Sequence, residues 1–107
     1  MELNDLIQKA VEVREKYGEL EMKKYGKKWT NAQIAQGFVG DIGDLMKLVM
    51  AKEGIRDIKN INEKLEHELA DCLWSILVLA NNYGIDLEKS FLKNMEGLEM
   101  RISKNDG

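Results

Sequence analysis

Proline is absent from this chain of 107 residues, and cysteine and histidine occur once each, as Cys72 and His67. No residue therefore breaks a helix by lacking a backbone N–H. A single cysteine excludes an intramolecular disulfide. Cys72 lies in an apolar run, where a free thiol behaves as a small core residue, and a lone thiol fits a reducing compartment, so a cytoplasmic location is expected. Long apolar runs are missing too. Nothing approaches the roughly 18 uninterrupted apolar residues that a membrane span needs, and Asn81-Asn82 close the longest run. The first residues, Met1-Glu2-Leu3-Asn4-Asp5, do not read as a basic region followed by an apolar one, so no signal peptide is expected. Excess positive charge is also absent. With a net charge of −3, no overall field attracts nucleic acid or an anionic membrane, and neither is an expected partner.

What remains is rich in Leu, Lys, Glu, Met and Ala, which favour helix. The spacing predicts an all-α chain, read as one domain over residues 1–107, with helices near 3–25, 30–52, 62–83 and 87–103. Thr30 with Gln33 reads as a capping box. Asn60 or Asn62 can cap the third helix and Asp86 the fourth, while Gly54 and Gly84 stand at C-terminal stops. Gly18 weakens the first helix and suggests a bend. Gly37, Gly40 and Gly43 recur every three residues, which suggests a close approach to that backbone by a neighbouring helix or a ligand. The third helix is apolar on almost every side from Leu73 to Ala80, and a helix of that kind is buried on more than one side. A wall of Leu73, Ile76, Leu77 and Ala80 is expected to meet another subunit.

The chain is organised around its acids. Glu68 and Asp71 open the run that ends at Ala80, and Asp41 and Asp44 sit inside a second apolar stretch, Phe38 to Met50. Positions i and i+3 share one helix face, so each pair points one way. Carboxylates in apolar sequence are costly unless paired, hydrogen-bonded or bound to a metal. The connection between the two helices is short, as for antiparallel neighbours. All four acids can then meet, and oxygen donors without His or Cys suit Mg²⁺ or Mn²⁺ rather than Zn²⁺. The Glu-x-x-His step of a di-iron bundle is missing. His67 reads as a rim residue. Lys64, one turn before Glu68, pairs with it or reaches a phosphate. Lys23, Lys24, Lys27 and Lys28 make the end of the first helix basic, which suits its dipole and also a phosphate. Trp29, Phe38 and Trp74 can stack on a base or fill a core or interface.

Asp41-x-x-Asp44, then Glu68-x-x-Asp71, then an apolar helix and Asn82-Tyr83-Gly84-Ile85-Asp86-Leu87-Glu88 together resemble the MazG-like all-α nucleoside triphosphate pyrophosphohydrolases. The likeness spans roughly residues 35–101 and is most specific in "HELADCLWSILVLANNYGIDLEKSF". Both glutamates of the family's first motif are aspartates here. The resemblance implies a four-helix subunit that assembles through an intersubunit helical bundle as a homodimer or homotetramer. It implies Mg²⁺-dependent cleavage of a nucleoside triphosphate between its α and β phosphates, giving a monophosphate and pyrophosphate. It carries metal ligation onto Asp41, Asp44, Glu68 and Asp71. By charge, a carboxylate can deprotonate the attacking water, and Asp44 and Glu68 are the candidates for that base. Asn94 resembles the family's polar residue on the last helix and Arg101 a phosphate contact, with Lys64 as a further phosphate-binding candidate. Gly97 stands where some members have lysine. The shortened acids and Gly97 leave a second reading: a helical nucleotide-binding or interaction module with little or no turnover.

Overall fold

Local signals set the helix limits. In the computed structural model, which describes residues 1–55 and 57–106, four helices follow in order: α1 Leu3–Tyr25, α2 Asn31–Lys52, α3 Ile61–Asn82 and α4 Leu87–Asp106. The Thr30 hydroxyl accepts from the Gln33 N–H at 3.2 Å, and the Gln33 side chain accepts from the Thr30 N–H at 2.8 Å. This reciprocal pair satisfies two N–H groups that the first turn of α2 would leave open. Asp86 caps α4 by accepting from the Lys89 N–H. At the other ends, Gly54 and Gly84 take φ of +85° and +66°. The next residues, Ile55 and Ile85, donate back to Met50 and Ala80, each at 2.9 Å. Left-handed backbone with this backward bond ends a helix and turns the chain.

α1 is helical without a break through Gly18. Two expectations change. Asn60 makes no side-chain cap on α3 and instead adopts a left-handed conformation itself. α4 stays helical past Ser103 to Asp106. Arg56 and Gly107, both outside the predicted helices, lie outside the described residues.

α2 and α3 pack antiparallel, and polar bonds tie both ends of the pair. Asn82 Nδ2 donates to Asn31 Oδ1 at 2.8 Å, joining the end of α3 to the start of α2. Lys52 Nζ donates to Asn62 Oδ1 at 2.6 Å, joining the end of α2 to the start of α3. α1 lies against α3, where the Trp74 indole N–H donates to the Ala10 carbonyl. The core sits where α1, α2 and α3 meet, built from Ala10, Ile34, Leu77 and Val78. Leu3, Ile7, Trp74, Leu79 and, from α4, Leu87 pack against it. α4 otherwise stands away, and the radius of gyration is 17.3 Å. A compact chain of this length would have about 13 Å.

The α3 wall divides. Leu77 and Ala80 are buried within the subunit, whereas Leu73 and Ile76 stay open. Val39, Ile42 and Met46 on α2 and Phe91, Leu92 and Ile102 on α4 are exposed as well. Among the described residues, no helix is long and apolar enough to cross a membrane.

Losing the α2 cap has a defined cost. Thr30→Ala should lower the unfolding free energy by about 1 kcal/mol. A urea titration should show an earlier midpoint with the far-UV helical signal retained. An unchanged midpoint would mean the capping box adds nothing.

Candidate active site

The antiparallel pairing puts the acids of α2 beside those of α3. Asp41, Asp44 and Glu68 each bring a carboxylate oxygen within 4.8 Å of the others. Asp41 and Glu68 are half-buried, and Asp44 is exposed. Burial and then the neighbouring Asp41, Asp44 and Asp71 push the Glu68 carboxyl above its ordinary value of 4.5, and Asp41 also accepts a hydrogen bond from its protonated form. Behind the cluster lies the buried thiol of Cys72, pushed up by burial and by Asp41, Glu68 and Asp71. It is the small core residue that its apolar run suggested.

Such a cluster has negative charge in excess and no cation among the described side chains bonded to it. Hard oxygen donors in that state fit a divalent cation such as Mg²⁺ or Mn²⁺. Asp71, the fourth predicted acid, stands outside the triad of converging oxygens. Its Oδ2 lies 3.1 Å from His67 Nε2, and the imidazole is largely exposed, as a rim residue should be.

Two cavities flank the acids. One, of about 420 Å³, is lined by Asp44, Glu68, Lys47, Lys64 and His67 among others. Lys64 makes no ion pair with Glu68 among the described residues, so the predicted pairing along α3 is not formed. Lys47, which the sequence reading passed over, joins it there. Its position three residues after Asp44 on the same helix face was the available signal.

The other cavity, of about 360 Å³, runs from Asp41 and Asp71 to an aromatic end of Tyr17, Trp29 and Trp74 with Arg14. The Tyr17 and Trp74 rings lie 5.7 Å apart. Trp29 fits because residue 37 is glycine: a Cβ there would meet the indole at 3.3 Å. That is one close approach among the three spaced glycines. Gly40 and Gly43 face open space within the subunit. Arg14 pairs with Glu21, and both side chains are largely buried. Glu21 also accepts the Trp29 backbone N–H at 2.9 Å. Burial alone would raise the Glu21 carboxyl, but the Arg14 and Trp29 hydrogen bonds and the charges of Arg14 and Lys28 outweigh it and hold it below its ordinary value.

Asn94 and Arg101 are not brought to the acids. They line a separate hollow with Ser90, Lys93, Gly97 and Leu98, all of α4.

Helices that gather oxygen donors in an apolar seam define a carboxylate-site helical protein. The chain matches the model of the MazG nucleotide pyrophosphohydrolase domain over residues 31–104, which takes in α2, α3 and most of α4, and it belongs to that family. No curated protein and no solved structure matches it.

The raised Glu68 carboxyl gives metal-free stability a definite slope. A group whose folded value exceeds its unfolded one contributes stability below about pH 4.5 and loses it as pH rises through the folded value. Glu21 has the opposite sign, its contribution being lost as pH falls through its lowered value. Above pH 4.5, therefore, the wild-type urea midpoint should fall relative to that of Glu68→Gln, and the variant should be the more stable at pH 7 without metal. Mg²⁺ should stabilise the wild type more than the variant. A wild-type midpoint that rises relative to the variant across that window would contradict the assignment.

Proposed function

We propose that the protein is a divalent-metal-dependent nucleoside triphosphate pyrophosphohydrolase. The observation that carries the reading is the convergence of Asp41, Asp44 and Glu68 in a chain of this family. Those three carboxylates, with Asp71 on the next turn, would hold Mg²⁺ or Mn²⁺. Bound there, the cation supplies neutralisation of the phosphate charge and polarisation of the attacked phosphorus.

The rest falls to the protein. Glu68, or Asp44 beside it, takes the proton of a water molecule as the water oxygen attacks phosphorus at the α–β bridge. The bond to the bridging oxygen breaks, and a nucleoside monophosphate and pyrophosphate leave. Lys47 and Lys64 flank the acids and can meet the outer phosphates. At the far end of the 360 Å³ cavity the Arg14–Glu21 pair is neutral as a unit. A neutral base fits among Tyr17, Trp29 and Trp74, and the anionic phosphates belong at the acid end with the cation.

Asn94 and Arg101 can serve this site only from another subunit, because α4 of the same chain carries them to a separate hollow. The exposed Leu73 and Ile76 on α3 and the apolar residues of α4 are the surfaces through which a homodimer or homotetramer would form, in a cytoplasmic enzyme. Gly97, in place of the lysine of some members, supports the second reading, a nucleotide-binding module with weak turnover.

Release of pyrophosphate from a panel of NTPs and dNTPs separates the two readings. The enzymatic reading expects Mg²⁺-dependent release that Asp71→Asn abolishes, with the metal-free variant at least as stable as the wild type. Binding without release would favour the module. Full activity in Asp71→Asn would remove that residue from the site.

A further inference from the structure

Arg14 has capacity that its structural role does not use. A guanidinium has five N–H donors and no acceptor, and Arg14 makes one hydrogen bond among the described residues, to Glu21. Its side chain is only 16% exposed, yet it lines the aromatic cavity, with its Cζ 5.6 Å from the centre of the Trp29 ring. Glu21, not itself in the cavity wall, holds both Arg14 and the Trp29 N–H. The guanidinium is thus fixed on two sides, by an ion pair and by an aromatic face. A planar donor held in that way presents a set geometry to whatever enters. Arg14, Glu21 and Trp29 all lie outside the residues matched by the family model, so this arrangement comes from the part of the chain that the match does not cover.

We infer that Arg14 is the specificity-determining residue of this cavity and selects purine rings that carry a 6-keto group. The inference rests on the nucleotide reading above. Guanine and hypoxanthine present two neighbouring acceptors, O6 and N7, to a donor fork. Adenine presents N7 beside a 6-amino donor, which would face the N–H groups of Arg14. A buried donor opposed by a donor loses its bond and its solvation together, so discrimination comes from rejecting adenine as much as from holding guanine. Because Glu21 balances the arginine charge, the recognition acts on a neutral ring edge and does not attract phosphate.

Isothermal titration with GMP, IMP, AMP and inorganic pyrophosphate, all with Mg²⁺, tests this without turnover. The wild type should bind GMP and IMP at least tenfold more tightly than AMP, as one good two-point contact allows. Arg14→Lys keeps a charge opposite Glu21 but loses the planar fork, so it should fold and lose the preference. The double variant Arg14→Met with Glu21→Gln leaves no unpaired buried charge. Its glutamine oxygen can still accept the Trp29 N–H, so it should fold with a single cooperative thermal transition and should also lose the preference. Pyrophosphate affinity should stay within about twofold in both variants, since a single 1.4 kcal/mol contact is worth tenfold.

A preference that survives both variants overturns the inference. So does a GMP preference not shared by IMP, which would place recognition on the 2-amino group, and so does a fall in pyrophosphate affinity alongside nucleotide affinity. Pyrophosphate binding with no nucleotide preference in the wild type rejects the inference and leaves the metal–phosphate reading standing. Absence of all binding rejects both.

Discussion

Three carboxylates drawn together between two helices repel one another, and the subunit must hold them there. Asp41, Asp44 and Glu68 have oxygens within 4.8 Å of each other, and partial burial weakens the screening that water would provide. The α2–α3 pair resists that repulsion by being tied at both ends, through Asn31 with Asn82 and Lys52 with Asn62. Apolar packing around Ile34, Leu77 and Val78 sits on the side of the pair toward α1. The acids are therefore set by a frame that does not depend on them. That is the arrangement a cation site requires if its geometry is to exist before the cation arrives.

The frame is incomplete in another respect. Its core is small, and among the described residues Leu77 and Val78 are its most deeply buried side chains. α4 stands away from the other helices, and apolar side chains on α2, α3 and α4 face outward. At about 25 cal/mol per Å², leaving that surface wet forgoes much of the stabilisation a chain of this size needs. On the proposed reading, association covers these faces, and it would also carry Asn94 and Arg101 to a set of acids.

Much of this was legible in the residues, because much of it is local. Helix limits follow from caps, and Thr30, Gln33, Asp86, Gly54 and Gly84 mark four of the ends within a residue or so. The acid cluster was legible because i, i+3 spacing fixes a face and a short connection fixes the antiparallel partner. What was missed depends on contacts across the fold. Arg14 meets Glu21 two turns along α1, and their meeting matters only because the chain after Gly26 folds Trp29 back onto both. No periodicity encodes that return. Asp71 shares a face with Glu68, yet its carboxylate lies beside His67 rather than within the triad, a choice between two neighbours that spacing leaves open. The α3 wall reads as one surface in the sequence, but α1 and α2 pack over Leu77, Ala80 is buried too, and Leu73 and Ile76 stay open, since burial depends on where partners stop.

The two ends of the long cavity differ in how they are built. The acid end is made by α2 and α3, inside the residues matched by the family model, and on the proposed reading its donors must sit within ångströms of one cation, so little can change there without loss. The aromatic end takes Arg14, Tyr17 and Glu21 from α1 and Trp29 from the following loop, outside that segment. On the proposed reading, substitutions there would alter which ring fits while the acids remain where α2 and α3 hold them. Trp29 is the joint between the two ends, because its ring packs over Gly37 on α2, four residues and thus about one turn before Asp41. A larger residue at 37 would displace the ring first and the acids hardly at all. If the cavity binds as proposed, choice of ring and position of the cation can therefore vary independently, provided that this one glycine is kept.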